Sequence, residues 1–249
     1  MKFLLRSAIG LLVLGIALLA TTSAPGRAAM SVNDIVDHMV EMNAARASSL
    51  RAYTAIRTYH VVYDGLAHDT ADMTVRMEYV APGPKVLTLV SQSGSSMLRR
   101  HVLDPLLKME RKEALIESLE GSAIVPANYE FSLVADVPQP DGDGNYLLDA
   151  KPRRSDRFLF RGRIWVSAQD YGITRVDGEP VHSPSWWVTD SAFQYRSQHI
   201  GDFWLPASNE CRSHTRFFGR AQLSITYDHY QFTSVLPVTQ VVASNGSRP

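Results

Sequence analysis

Arg157-Phe158-Leu159-Phe160-Arg161-Gly162-Arg163-Ile164-Trp165-Val166 sets apolar side chains against basic ones with a period of two along most of its length. Successive side chains of an extended strand point to opposite faces. Phe158, Phe160, Ile164 and Val166 therefore share one face, and Arg157, Arg161, Arg163 and Trp165 the other. The first face belongs against a core and the second against solvent, as in an antiparallel sheet with one wet side.

Working outward, the same kind of segment recurs. Stretches rich in Tyr, Val, Ile and Thr, bounded by short turn signals such as Asp64-Gly65, Asp170-Tyr171-Gly172 and Gly201-Asp202, predict strands over 53–63, 70–80, 85–91, 129–137, 145–151, 158–167, 172–176, 192–200, 203–216 and 221–232. Connections this short imply a meander in which strands adjacent in sequence are adjacent in the sheet, and a twisted sheet of about ten strands curls. Two helices interrupt the pattern. Ser31 and Asn33 are N-cap residues ahead of 32–50, where Ile35, Val36, Met39, Val40 and Met42 form an apolar stripe. A second helical segment runs over about 97–120, with Pro105 opening a new turn and Gly121 closing the end.

The fold class that follows is mainly β with helices (α+β): a large curved antiparallel sheet, or half-open β-barrel, of about ten strands. The N-terminal helix and the helical insert cover its concave face, and a hydrophobic hollow between sheet and helices is expected.

The first residues, Met1-Lys-Phe-Leu-Leu-Arg6, an apolar run over 8–20 and small residues over 21–29 have the three parts of a secretory leader. Its apolar core is shorter than the roughly 20 residues that span a bilayer. Cleavage is expected after Ala28, or after Ala24, giving a signal peptide (1–28), a single domain (29–237) and a polar tail (238–249) in a periplasmic protein. The only cysteine, Cys211, lies far from the leader, so neither a lipid anchor there nor an internal disulfide is expected. Basic and acidic residues balance at 25 each, and loss of Lys2, Arg6 and Arg27 leaves the mature chain mildly acidic, which does not suggest nucleic acid.

Chemical motifs are sparse. The eight His residues form no His-Glu-x-x-His or close metal-ligand pair, and no nucleophile elbow or phosphate loop is present. Asp141-Gly-Asp-Gly-Asn145 opens like a calcium loop, but Tyr146 and Pro152 stand where such a loop wants Gly and Glu, so it reads as a hairpin turn. The reading is a non-catalytic protein, with no catalytic residues, no metal and no cofactor. Arg157, Arg161 and Arg163, reinforced by Lys151, Arg153 and Arg154, read as a solvated face or as a docking patch for anionic headgroups or a partner. Trp186 and Trp187 follow one another in an apparent loop; one packs in the core with the other partly exposed, or an inward Trp186 lines the mouth of the hollow, and Phe203 and Trp204 after the Gly-Asp turn invite the same two readings.

Asn145-Tyr-Leu-Leu-Asp-Ala-Lys-Pro152, Phe158 to Val166, the turn Asp170-Tyr-Gly-Ile173 and Gly201-Asp-Phe-Trp-Leu-Pro206, in this order of elements, resemble the LolA-like superfamily of periplasmic proteins. The superfamily includes the lipoprotein carrier LolA, its receptor LolB and the amino-terminal domain of the stress regulator RseB; the likeness is to its outer-membrane lipoprotein-sorting type. The resemblance implies a half-open barrel whose interior takes up acyl chains. Ile35, Met39, Phe158, Phe160, Ile164 and Trp186 are the candidate ligand-lining residues, and Arg57 and Arg76 the candidates for a gating arginine. The expected function is binding and carriage of a lipid, or of the acyl chains of a lipoprotein headed for the outer membrane, by a monomer. The alternative is a sensor or scaffold that binds a membrane-anchored protein without transport.

Overall fold

A computed structural model describes residues 30–65, 68–113, 121–134, 140–183, 188–216 and 219–236. The leader (1–28), Trp186 and the polar tail (238–249) lie outside the described residues. Ten strands form one antiparallel sheet: β1 (Leu50–Asp64), β2 (His68–Val80), β3 (Val86–Gly94), β4 (Tyr129–Leu133), β5 (Asn145–Pro152), β6 (Phe160–Ser167), β7 (Ile173–Pro180), β8 (Val188–Ile200), β9 (Phe203–Thr215) and β10 (Arg220–Val235).

The order is β3-β2-β1-β10-β9-β8-β7-β6-β5-β4. Most neighbours in sequence are neighbours in the sheet, as a meander requires. The meander is broken between β3 and β4, which form the two edges, while β1 pairs with β10 from Leu50↔Val235 to Asp64↔Arg220. The physical reason is the insert. Residues 95–128 are too long for a hairpin, so β3 and β4 part and become the two edges, and pairing of the first and last strands joins the two halves of the sheet. The sheet remains open between its edges, a half-barrel.

The insert begins with α2 (Ser96–Leu98), passes through a π-helical turn (Arg99–Leu103) and continues as α3 (Asp104–Glu113), with Pro105 in its first turn. Helix α1 (Val32–Ser49) starts at a capping box, in which the Ser31 side chain accepts from the Asp34 amide and the Asp34 side chain from the Ser31 amide. Its C-cap is Leu50, the first residue of β1, so helix and strand join without a loop.

Apolar residues on the concave face gather into two lobes. One joins Tyr59, Met73, Val75 and Met77 of β1 and β2 to Leu98, Leu103 and Leu107 of the insert. The other joins Ile35, Val36 and Met39 of α1 to Tyr129, Leu148, Phe160, Ile164 and Val176 of β4–β7. Helix α1 belongs to both, since Ala45 and Leu50 lie in the first. Between the lobes, β8 and β9 turn Ser191, Tyr195, Asn209, Cys211 and Ser213 to the same face. Phe193 and Tyr195 pack against the second lobe there, and the remaining side chains are small or polar.

Candidate functional site: a cleft between helix α1 and the middle strands

A hollow of about 870 Å³ lies over these middle strands. Met39, Val40, Asn43 and Ala44 of α1 form one wall and Ser122–Val125 another. The floor comes from Phe160 of β6, Ile173 and Val176 of β7, Phe193, Tyr195 and Ser197 of β8, and Trp204 and Asn209 of β9. Its size is that of a small-molecule pocket, about 300–1,000 Å³.

Helix α1 is fixed over the cleft by Arg46. Its Nη2 donates to the Asp170 main-chain oxygen at 2.6 Å and to Asp170 Oδ2 at 2.8 Å, and its Nε to the Asp202 main-chain oxygen at 3.1 Å. The β6–β7 and β8–β9 turns are thus tied to one helical residue. Trp204 Nε1 also donates to Asp170 Oδ2, at 2.8 Å. Burial opposes ionisation of Asp170, but Ser167, Trp204 and Arg46 together hold its carboxyl below the ordinary value. A smaller hollow of about 500 Å³ adjoins this network, and Trp204 lines both hollows.

A second polar group sits inside the other lobe. Arg57 alternates inward between Ala55 and Tyr59 and is buried. Its Nη1 donates to Glu110 Oε2 of α3 at 2.9 Å, the Tyr59 hydroxyl donates to the same oxygen at 2.6 Å, and the guanidinium lies 5.0 Å from the Tyr227 ring. Although burial opposes the charge, Tyr227 and Glu110 keep the Arg57 pKa above its usual value. Half-buried Lys85 senses the same group: burial first, then repulsion by Arg57, brings its pKa down to about 8. Arg111 donates to the Leu87 oxygen and Gln92 to Asp104, so the insert is tied to β3 and, through Glu110, to β1.

The sequence candidates separate clearly. Met39 and Phe160 line the cleft. Ile35 and Ile164 are fully buried in the core beside it. Phe158 precedes β6 in a turn, where its amide donates to Asp156 Oδ1 and its ring lies 4.5 Å under the Arg157 guanidinium. Of the two arginines, Arg57 faces inward toward the insert, whereas Arg76 is exposed and pairs with Glu78 at 3.0 Å.

Arg161 and Arg163 are exposed on the outer face but meet acids across the ladder, Glu179 at 3.9 Å and Asp149 at 3.5 Å. Arg153 and Arg154 hold the backbone of 121–129. The outer face is thus a mixed-charge surface. Trp204, weighed from sequence for the mouth of the hollow, lines the cleft, whereas Tyr195 and Asn209 were not singled out from sequence for this site.

Among the described residues no group of three His, Cys, Asp or Glu side chains is arranged to hold a metal. Asp141 Oδ1 accepts instead from the Asp143 and Asn145 amides, as a turn residue does. Ser155 Oγ lies 3.0 Å from His182 Nε2, with both residues exposed and outside the cleft.

No protein-family model matches the sequence, and no curated protein is similar to it in sequence. Among solved structures, the chain is similar to an outer membrane lipoprotein-sorting protein domain from Vibrio parahaemolyticus (12% identity, 86% of this chain and 98% of that one, TM-score 0.45). It is also similar to a LolA superfamily protein from Nitrosomonas europaea (11% identity, 85% and 97%, TM-score 0.40). A third likeness is to the MucA/MucB complex of Pseudomonas aeruginosa (9% identity, 78% and 93%, TM-score 0.26). The resemblance to LolA-like proteins read from the sequence is thus met among solved structures as a likeness of chain path, and at these identities and scores it says nothing of ligand or partner.

Proposed function

We propose that the protein binds a hydrophobic ligand, a lipid or the acyl chains of a lipoprotein, in the cleft between α1 and β6–β9, and carries it through the periplasm after export. The observation that carries this reading is the cleft of about 870 Å³, walled among the described residues by Met39, Val40, Phe160, Ile173, Val176 and Phe193. Each methylene that leaves water for such a wall contributes about 0.8 kcal/mol, so part of one chain gives useful affinity.

The test is to express the chain with its leader in a bacterial periplasm, purify it without detergent and identify extracted lipid by mass spectrometry. Stoichiometric lipid is expected. Ala44 is exposed on α1 at the rim of the cleft, so Ala44→Trp should fill the opening without disturbing the core. It should lower binding of the neutral apolar fluorophore N-phenyl-1-naphthylamine at least about tenfold while the melting temperature stays unchanged. An empty extract, with no probe bound by either protein, would overturn the reading.

A second reading has its own observation. Val86, Leu89 and Val90 of edge strand β3 are exposed among the described residues, and an unpaired edge is a template for a partner strand. Crosslinking to a membrane-anchored protein in the absence of bound lipid would favour it.

A further inference from the structure

We propose that the helical insert and the edge strand β3 beside it form a docking face for an anionic bilayer surface, with phospholipid headgroups as the partner. The face stands apart from the cleft, so the inference does not depend on what the cleft binds.

The first observation is where apolar surface is left in water. Val86, Leu89 and Val90 of β3 and Met97 and Met109 of the insert are five of the nine large apolar side chains exposed among the described residues. Singly exposed apolar residues need no explanation, but a concentration of them marks a contact surface. The β2–β3 ladder sets Leu87, Leu89 and Gln92 opposite the buried Met77, Val75 and Met73, so all three share the concave side with the insert. The insert is fastened at both ends of this run: Gln92 donates to Asp104, and Arg111 to the Leu87 oxygen. Leu89 lies between the two attachments on the strand. Lys108 lies between them on the helix, four residues after Asp104 and three before Arg111, on one stripe.

The second observation is the sign of the charge. Over residues 96–111, Arg99, Arg100, Lys108 and Arg111 stand against Asp104 and Glu110. Both acids are engaged, Asp104 with Gln92, and Glu110 inward with Arg57 and Tyr59. Arg100, Lys108 and Arg111 are exposed and meet no acid among the described side chains. The arginines of the outer face differ in this respect, since Arg161 and Arg163 meet Glu179 and Asp149. A negative membrane surface attracts cations, each one contributing about fivefold in partitioning, and apolar side chains among them enter the headgroup layer. Three such cations give about a hundredfold, which is reversible docking.

The test is co-sedimentation of the protein, purified from the periplasm, with sucrose-loaded vesicles. One set holds phosphatidylglycerol and phosphatidylethanolamine, the other phosphatidylcholine alone. At low ionic strength binding to the anionic set should be at least about twentyfold tighter, and about 0.5 M salt should abolish it. Arg100→Gln with Lys108→Gln should lower it at least about tenfold at an unchanged melting temperature, whereas Arg161→Gln with Arg163→Gln should leave it within about twofold. Both pairs change the net charge equally, so a difference between them is one of place. In the wild-type protein, anionic vesicles should slow hydrogen exchange over 96–111 and not over 160–167. Protein that withdraws lipid into the cleft stays in the supernatant, so uptake is not scored as docking. Equal binding to both vesicle sets, binding to neither, the same loss from both pairs, or no protection over 96–111 would each overturn the proposal and leave the cleft reading standing. So would crosslinking of this face to an acidic protein without vesicle binding. The wild-type exchange measurement decides the matter even if a variant fails to fold.

Discussion

At the scale of the residue, Lys85 is the group most out of keeping with its surroundings. Burial and the neighbouring Arg57 lower its pKa from 10.5 to about 8, so the folded chain gives up this proton more readily than the unfolded one. Below about pH 8 both states are protonated and the full cost of holding the ammonium is felt; between about pH 8 and 10.5 the unfolded state binds more protons, and stability gains from this site as pH rises. Lys85→Met should therefore be more stable than wild type at pH 7, with the advantage shrinking as pH climbs through that window. Urea midpoints at several pH values decide it, and a constant difference would be the wrong outcome. Gly172 makes a second residue-scale case. A Cβ there would run into the indole of Trp204, which packs against that backbone. Gly172→Ala should displace the indole, cost about 1–3 kcal/mol as an overpacked site does, and shift the Trp204 indole N–H resonance.

At the scale of the element, α1 depends on one anchor more than on its own helical propensity. Arg46 joins it to the turns around Asp170 and Asp202, and the lowered pKa of Asp170 gives that anchor a pH dependence. A carboxyl whose folded pKa lies below the ordinary 3.8 contributes stability that is present above that value and lost as pH falls below it. Asp170→Asn should cost about 2 kcal/mol near neutral pH, and the difference from wild type should fade as pH falls below 3.8. Hydrogen exchange along 32–49 should rise in the variant before exchange in β1 does.

How far such elements were legible in the chain depended on amplitude. In β6 the contrast between Phe160, Ile164 and Val166 on one side and Arg161 and Arg163 on the other named the strand and its inner face. In β9, Ser208, Glu210 and Arg212 alternate with Asn209, Cys211 and Ser213, polar against polar, so the inward face carried no signal and Asn209 stayed hidden. The pairing of β1 with β10 was hidden for a different reason. Local turn chemistry reports which strands follow one another, whereas the partner of a terminal strand is chosen by closure of the whole sheet.

At the scale of the molecule, two apolar lobes sit at the ends of one hydrogen-bonded sheet, with α1 shared between them and the polar middle strands left open beneath it. This division goes with the hollow: each cover fills its own lobe, which takes in Phe203 and Leu205 of β9 on one side and Phe193 and Tyr195 of β8 on the other, while Ser197 and Asn209 between them add little apolar bulk. A bound chain would complete the concave face where the protein's own side chains do not. Affinity should then follow chain length. In a series of single-chain amphiphiles that share one headgroup, each added methylene should contribute about 0.8 kcal/mol, about a fourfold fall in Kd, while the chain still finds wall to cover. Beyond the length at which the apolar wall from Phe160 to Met39 is filled, further methylenes remain in water and the gain should stop. Calorimetric titration of the series measures both slope and break. A slope without a break would place the chain along an open surface, whereas a break that moves to shorter chains in Ala44→Trp locates the chain in the cleft.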